Sequence, residues 1–129
     1  MKCLGCYKKV EKNEYCLSCR KKLFEGKRVS TILEFDKPKP ENIHMYNEHS
    51  KWMSISGVQL KYSLKLVGDK LSLCETKGQY IIKPIPTAGH LEMMQDAPEN
   101  EHLIMQIASQ IFKIKTAHNA LIYFKDGTP

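Results

Sequence analysis

The chain has 129 residues, 42% of them hydrophobic and 26% charged, which fits one medium globular domain or a small domain with a tiny module attached. The net charge is +6 and the excess lies early: residues 1–40 hold eleven Lys/Arg against five Asp/Glu, while residues 41–129 hold nine of each. No apolar run is long enough to span a bilayer, and the start Met1-Lys2-Cys3-Leu4-Gly5-Cys6 has no apolar signal-peptide core. A cytoplasmic protein with reduced cysteines, not bound to membrane, is therefore expected. The basic excess reads first as a solvated face, with a weak polyanion-binding patch or a surface for an acidic protein as the alternatives, and direct binding of nucleic acid is not expected.

Four of the five cysteines form two pairs, Cys3-x-x-Cys6 and Cys16-x-x-Cys19, with nine residues between them. Each CxxC turn puts two thiolates on one side of a tight knuckle, and two such knuckles supply the four tetrahedral ligands that zinc prefers. Gly5 relieves the turn inside the first pair, and Lys2, Lys8, Lys9, Arg20, Lys21 and Lys22 offset the negative charge of a tetrathiolate centre. A structural zinc ion held by Cys3, Cys6, Cys16 and Cys19 is expected, because about twenty residues cannot bury a core unaided. Leu17 to Gly26 reads as a short helix packed on the site and ended by Gly26. Tyr7, Tyr15 and Phe24 read as packing around it. Cys74, alone in an apolar stretch, reads as a small buried hydrophobe.

Residues 27–53 read as a linker with a short extended segment from Val29 to Phe35, and its Pro38 and Pro40 break regular structure. His44 and His49 read as surface residues of that linker. Further on, Lys61–Leu66, Leu71–Cys74 and Tyr80–Lys83 read as three strands of an antiparallel meander, with turns at Val67–Lys70 and Thr76–Gln79.

A helix then starts at Asp96 as N-cap, with Pro98 in the first turn and Glu99 placed for a capping box. Leu103, Ile107 and Ile111, flanked by Ile104 and Ala108, form an apolar stripe expected to face the sheet. Lys113 and Lys115 suit the C-terminal end of the helix dipole. Ala120–Phe124 reads as a fourth strand, and Asp126-Gly127 as the start of a hairpin turn. A hairpin turn with no returning strand implies a shortened sequence or a partner strand on another chain.

A small glycine-containing loop entering a sheet, a lysine on an apolar strand and a helix with acids in its first turn are the layout of a kinase N-lobe. Lys83 follows Tyr80-Ile81-Ile82 in a strand expected to be largely buried, so it needs an acidic partner, Glu101 or failing that Glu99. The plain alternative is a strand-end lysine reaching solvent.

Residues 54–124 resemble the N-lobe of HipA-type serine/threonine kinases, the toxins of bacterial toxin–antitoxin systems. The resemblance is carried by Ser54-Ile55-Ser56-Gly57-Val58-Gln59-x-Lys61, by Ile81-Ile82-Lys83-Pro84, and by Glu99-Asn100-Glu101 before the apolar helix. The knuckle resembles one that precedes this lobe in a subset of such proteins. The resemblance implies that Ser54, Ser56, Gly57, Val58 and Gln59 belong to a phosphate-binding loop. Ser54 or Ser56 would be the autophosphorylation site, and Lys83 with Glu101 would hold the nucleotide. It also implies ATP with Mg²⁺ as ligand and a HipB-like DNA-binding antitoxin as partner.

The fold expected is α+β: a zinc knuckle with a short helix (1–26), a linker (27–53) and an N-lobe incomplete at its C-terminal end (54–129). A kinase also needs a catalytic Asp, a metal-binding Asp and an Asn from a C-lobe. None is found here, and Asp126-Gly127 reads as a turn, so this chain alone is expected to be inactive. The C-lobe would come from the rest of the protein or from a separate chain. Two alternatives stay open: a free N-lobe-like regulator or antitoxin of a separate kinase, and a small basic zinc-ribbon protein that binds nucleic acid.

Overall fold

The structure, a computed structural model, describes residues 1–38, 41, 44, 61–74, 78–84 and 96–129. Among them lie two helices and a three-stranded antiparallel sheet, an α+β arrangement.

The N-terminal knuckle closes on itself through Cys3 N–H to Lys8 O and Val10 N–H to Met1 O, with Lys2 bridged antiparallel to Lys9. Helix α1 follows at Leu17–Phe24, with Cys16 as its N-cap residue. Glu25 and Gly26 both take left-handed backbone, at φ 56° and 85°, and Gly26 N–H bonds Arg20 O at 2.9 Å. Glu25 N–H meets the same carbonyl, and this closure stops the helix at Phe24, before the glycine at which it was expected to end.

The sheet contains β1 (Tyr62–Val67), β2 (Lys70–Leu73) and β3 (Tyr80–Ile82). The β1–β2 hairpin turns at Gly68, whose φ of +65° suits a residue without a Cβ. The strand order is β2-β1-β3, so the expected meander is not formed: β1 is central and β3 adds to its far edge. Cys74 N–H bonds Ser63 O on one edge of β1, and Gln79 N–H bonds Leu64 O on the other. Gly78 lies close against β1, where a Cβ would come within 2.9 Å of the Ser63 Cβ. Tyr62 and Leu64 point to the opposite face and are fully buried, as the alternation of β1 requires.

Helix α2 spans Ala97–Gln110, with Pro98 in its first turn. Asp96 precedes it without a side-chain capping bond, so the expected capping box is absent; its backbone is already helical (φ −91°, ψ −2°), which is not cap geometry. Left-handed Lys113 (φ 56°) lets Ile114 N–H return to Ala108 O and close the C-terminal end. The apolar stripe does not face the sheet. Ile104 and Ile111 are 65% and 68% exposed, Leu103 and Ile107 are also exposed, and the one buried residue of the helix is His102. Hydrophobic periodicity located the helix, but polar contacts with the knuckle and with Asn119 set its rotation.

The expected fourth strand at Ala120–Phe124 does not join the sheet. Leu121 N–H bonds Leu4 O, while Tyr123 N–H bonds Thr31 O and Tyr123 O accepts from Leu33 N–H. The segment thus runs parallel to residues 31–35 through a single bridge, Ile32 to Tyr123. Asp126 and Gly127 form the expected turn, closed by Phe124 N–H to Thr128 O. One hydrophobic cluster joins these pieces apart from α2: Cys3, Tyr15 and Phe24 from the N-terminal part, Val29 and Leu33 from the extended segment, Tyr62, Leu64 and Ile82 from the sheet, and Phe124. Phe24 sits between Tyr15 and Tyr80, with ring centroids 5.5 and 5.4 Å away. Cys74 is buried, as expected of a small hydrophobe, and His44 is exposed.

Candidate functional site

The two CxxC pairs converge. The Sγ atoms of Cys3, Cys6, Cys16 and Cys19 all lie within 4.8 Å of one another, and all four thiols are free. A tetrahedral thiolate site with metal–sulfur bonds of about 2.3 Å has sulfurs about 3.8 Å apart, and Cys6 and Cys16 stand 3.6 Å apart. The donor set therefore fits one metal ion.

Backbone groups support the ligands. Gly5 N–H and Cys16 N–H both donate to the Cys3 Sγ, at 3.4 and 3.2 Å. Burial pushes the Cys3 thiol up, but these backbone donors and that of Cys6 outweigh it and bring it to about 7. Burial raises the Cys6 and Cys19 thiols, with neighbouring thiols adding to the effect at Cys19. Gly5 is required for space rather than for its dihedral: a Cβ there would meet the Cys19 Sγ at 2.6 Å. The left-handed residue of this turn is Tyr7, at φ 66°.

The knuckle is tied to both elements that follow it in the core. Tyr80 of β3 donates its hydroxyl to Leu23 O of α1 at 2.8 Å. Buried Tyr15 donates to Leu121 O at 2.7 Å. From α2, Gln110 donates its amide to Cys6 O at 3.0 Å, and the His102 ring lies 5.2 Å from the Tyr7 ring. His102 Nδ1 meets Asn119 Oδ1 at 2.6 Å, and Gln106 donates to the same oxygen. The sequence reading missed His102, Gln110 and Asn119. The one signal for His102 was a titratable residue beside the acids of a helix start, and the tertiary partner that makes it informative is seventeen residues away.

The second arrangement is an ion pair. Lys83 Nζ lies 2.6 Å from Glu101 Oε1, joining the residue after β3 to the first turns of α2, so Glu101 is the acid that meets Lys83. Both side chains are 38% exposed. Lys83 is thus not buried as expected, because β3 ends at Ile82 and the lysine stands beyond the sheet. The pair borders a cavity of about 590 Å³ that Lys61, Tyr80, Ile82 and His102 also line. The expected phosphate-loop residues Ser54, Ser56, Gly57, Val58 and Gln59 lie outside the described residues, as does His49.

Among the described residues, no helix is long and apolar enough to cross a membrane. No protein-family model, no curated protein and no solved structure matches the chain.

Proposed function

We propose that this chain is the nucleotide-phosphate-binding part of a HipA-like serine/threonine kinase, completed by a C-lobe in cis or on a separate chain, with its four cysteines holding a structural zinc ion. The observation that carries the reading is the Lys83–Glu101 pair at the edge of a cavity. Such a pair fixes a lysine where nucleotide phosphates sit and keeps its ammonium oriented in the absence of ligand. Ser54 and Ser56 are the phosphorylation candidates; a phosphate on either adds close to two negative charges at the place where ATP phosphates would bind. Zinc is preferred at the cysteines because a closed set of four thiolates is its structural coordination. A cytoplasmic location belongs to the same reading, since reduced thiols are needed to bind the ion.

The test is titration of the zinc-loaded protein with Mg-ATP, followed by fluorescence of a labelled nucleotide, with Lys83→Ala beside the wild type. Binding that Lys83→Ala abolishes supports the reading, as does co-purification with a co-expressed protein carrying kinase C-lobe motifs. Nucleotide binding unaffected by Lys83→Ala, or no binding together with no C-lobe partner, overturns it.

A further inference from the structure

A second concave surface lies between the knuckle, α1 and the segment following α2. It has a volume of about 450 Å³, and neither Lys83 nor Glu101 lines it. Four lysines do: Lys8 from the knuckle, Lys22 from α1, and Lys113 and Lys115 from beyond α2. No Asp or Glu is among its lining residues, and none of the four lysines pairs with a described acid. The remaining wall includes the hydroxyls of Ser18 and Thr116.

The charge has a local alternative explanation, since a zinc tetrathiolate carries −2 and Cys6 and Cys19 also line the groove. Four ammonium groups against that centre leave a net of +2. Moreover, Lys113 and Lys115 are supplied by a segment about a hundred residues from the cysteines in sequence, brought here by the turn at left-handed Lys113. In the sequence these two lysines belong to the electrically neutral stretch 41–129, so the groove exists only in the fold.

We infer that this groove binds the backbone phosphates of single-stranded nucleic acid, independently of the proposed nucleotide site at Lys83. Lysine and hydroxyl groups without arginine forks are the chemistry of phosphate contacts that position a strand without reading its bases. A concave cleft between three elements admits a flexible single strand more readily than a rigid duplex. The wall contains no Phe, Tyr or Trp on which bases can stack, and His118 is its one aromatic ring, so binding is mainly electrostatic and largely indifferent to sequence.

The experiment is fluorescence anisotropy with labelled 20-nucleotide single strands of mixed sequence and the matching duplex, using zinc-loaded full-length chain at 50 to 200 mM salt. With four phosphate contacts, log K should fall against log salt with a slope of about −2.8 for a single strand. The Lys113→Gln, Lys115→Gln double variant should halve the slope and weaken binding about tenfold at 100 mM salt. Lys65→Gln, at an exposed position of β1, removes one charge elsewhere and should leave the slope unchanged. Glutamine keeps the length of the side chain, and unchanged zinc content and circular dichroism confirm that each variant is folded. Absence of binding by single strands, tighter binding of the duplex, or equal losses from Lys65→Gln and the double variant would overturn the inference. So would capture of inorganic phosphate at millimolar concentration with no nucleic-acid binding. Loss of ATP binding with retained strand binding would overturn only the kinase reading.

Discussion

Lys83 and Glu101 meet at 2.6 Å across the gap between the end of β3 and α2, and both are tethered through neighbours to the cysteine knuckle. Tyr80, three residues before the lysine, bonds α1; His102, next to the glutamate, lies against the Tyr7 ring. The knuckle thus sets the distance between two elements that are not its own.

With both partners about two-fifths exposed, the pair contributes little to stability. A double-mutant cycle of Lys83→Ala and Glu101→Ala, read by urea denaturation, should give a coupling of about 0.2–1 kcal/mol. A coupling of several kcal/mol would mean that the pair is buried in solution.

Zinc content should be one equivalent per chain in protein never exposed to chelator, measured by plasma mass spectrometry. Chelation should lower the melting temperature and detach α2, because Gln110 and His102 dock on the knuckle. Content well below one equivalent contradicts the four-thiolate site. Ligands must ionise to bind, and burial raises Cys6 and Cys19, so zinc affinity should already fall as pH drops towards neutrality, with Cys3 adding to the loss only below about 7.

Gly5→Ala and Gly78→Ala test two close approaches. A methyl at Gly5 meets the Cys19 sulfur at 2.6 Å, and one at Gly78 meets the Ser63 Cβ at 2.9 Å. Each should cost about 1–3 kcal/mol in unfolding free energy, but only Gly5→Ala should also release zinc. Equal zinc retention in both variants would contradict the placement of Gly5.

His102 is 4% exposed, and burial holds its pKa below the ordinary 6.5, against the opposing effects of Asn119 and the Leu4 and Gly5 backbone. The unfolded chain therefore takes up the proton first. The contribution of neutral His102 is present above about pH 6.5 and is lost as pH falls through the lowered folded value. Comparing wild type with His102→Gln, both zinc-loaded, subtracts the cysteine titration. The wild type should lose stability more steeply than the variant on acidification below pH 6.5, and identical slopes would refute the buried neutral ring.

Ile104→Ser should change stability by no more than about 0.5 kcal/mol, because the side chain is 65% exposed. A loss of 2 kcal/mol or more by thermal denaturation would show that the apolar stripe is covered after all.

The sequence by itself determined the local features. Cysteine spacing located a four-thiol cluster able to hold a metal ion, since CxxC turns need only short-range geometry. Period-two patterning placed β1 within a residue or two, and period-3.6 patterning located α2. It also proposed Lys83 and Glu101 as partners, eighteen positions apart. Only the tertiary structure decided the order of the strands, because β3 could pair with either β2 or β1 on alternation alone, and the close approach of Gly78 to Ser63 belongs to the pairing with β1. Only packing decided which side of α2 is buried: the apolar stripe specifies a helix, but polar contacts of His102 and Gln110 with the knuckle turned that stripe outward. The four lysines of the basic groove were legible as residues and not as a site, because the chain segments that carry them meet only after folding.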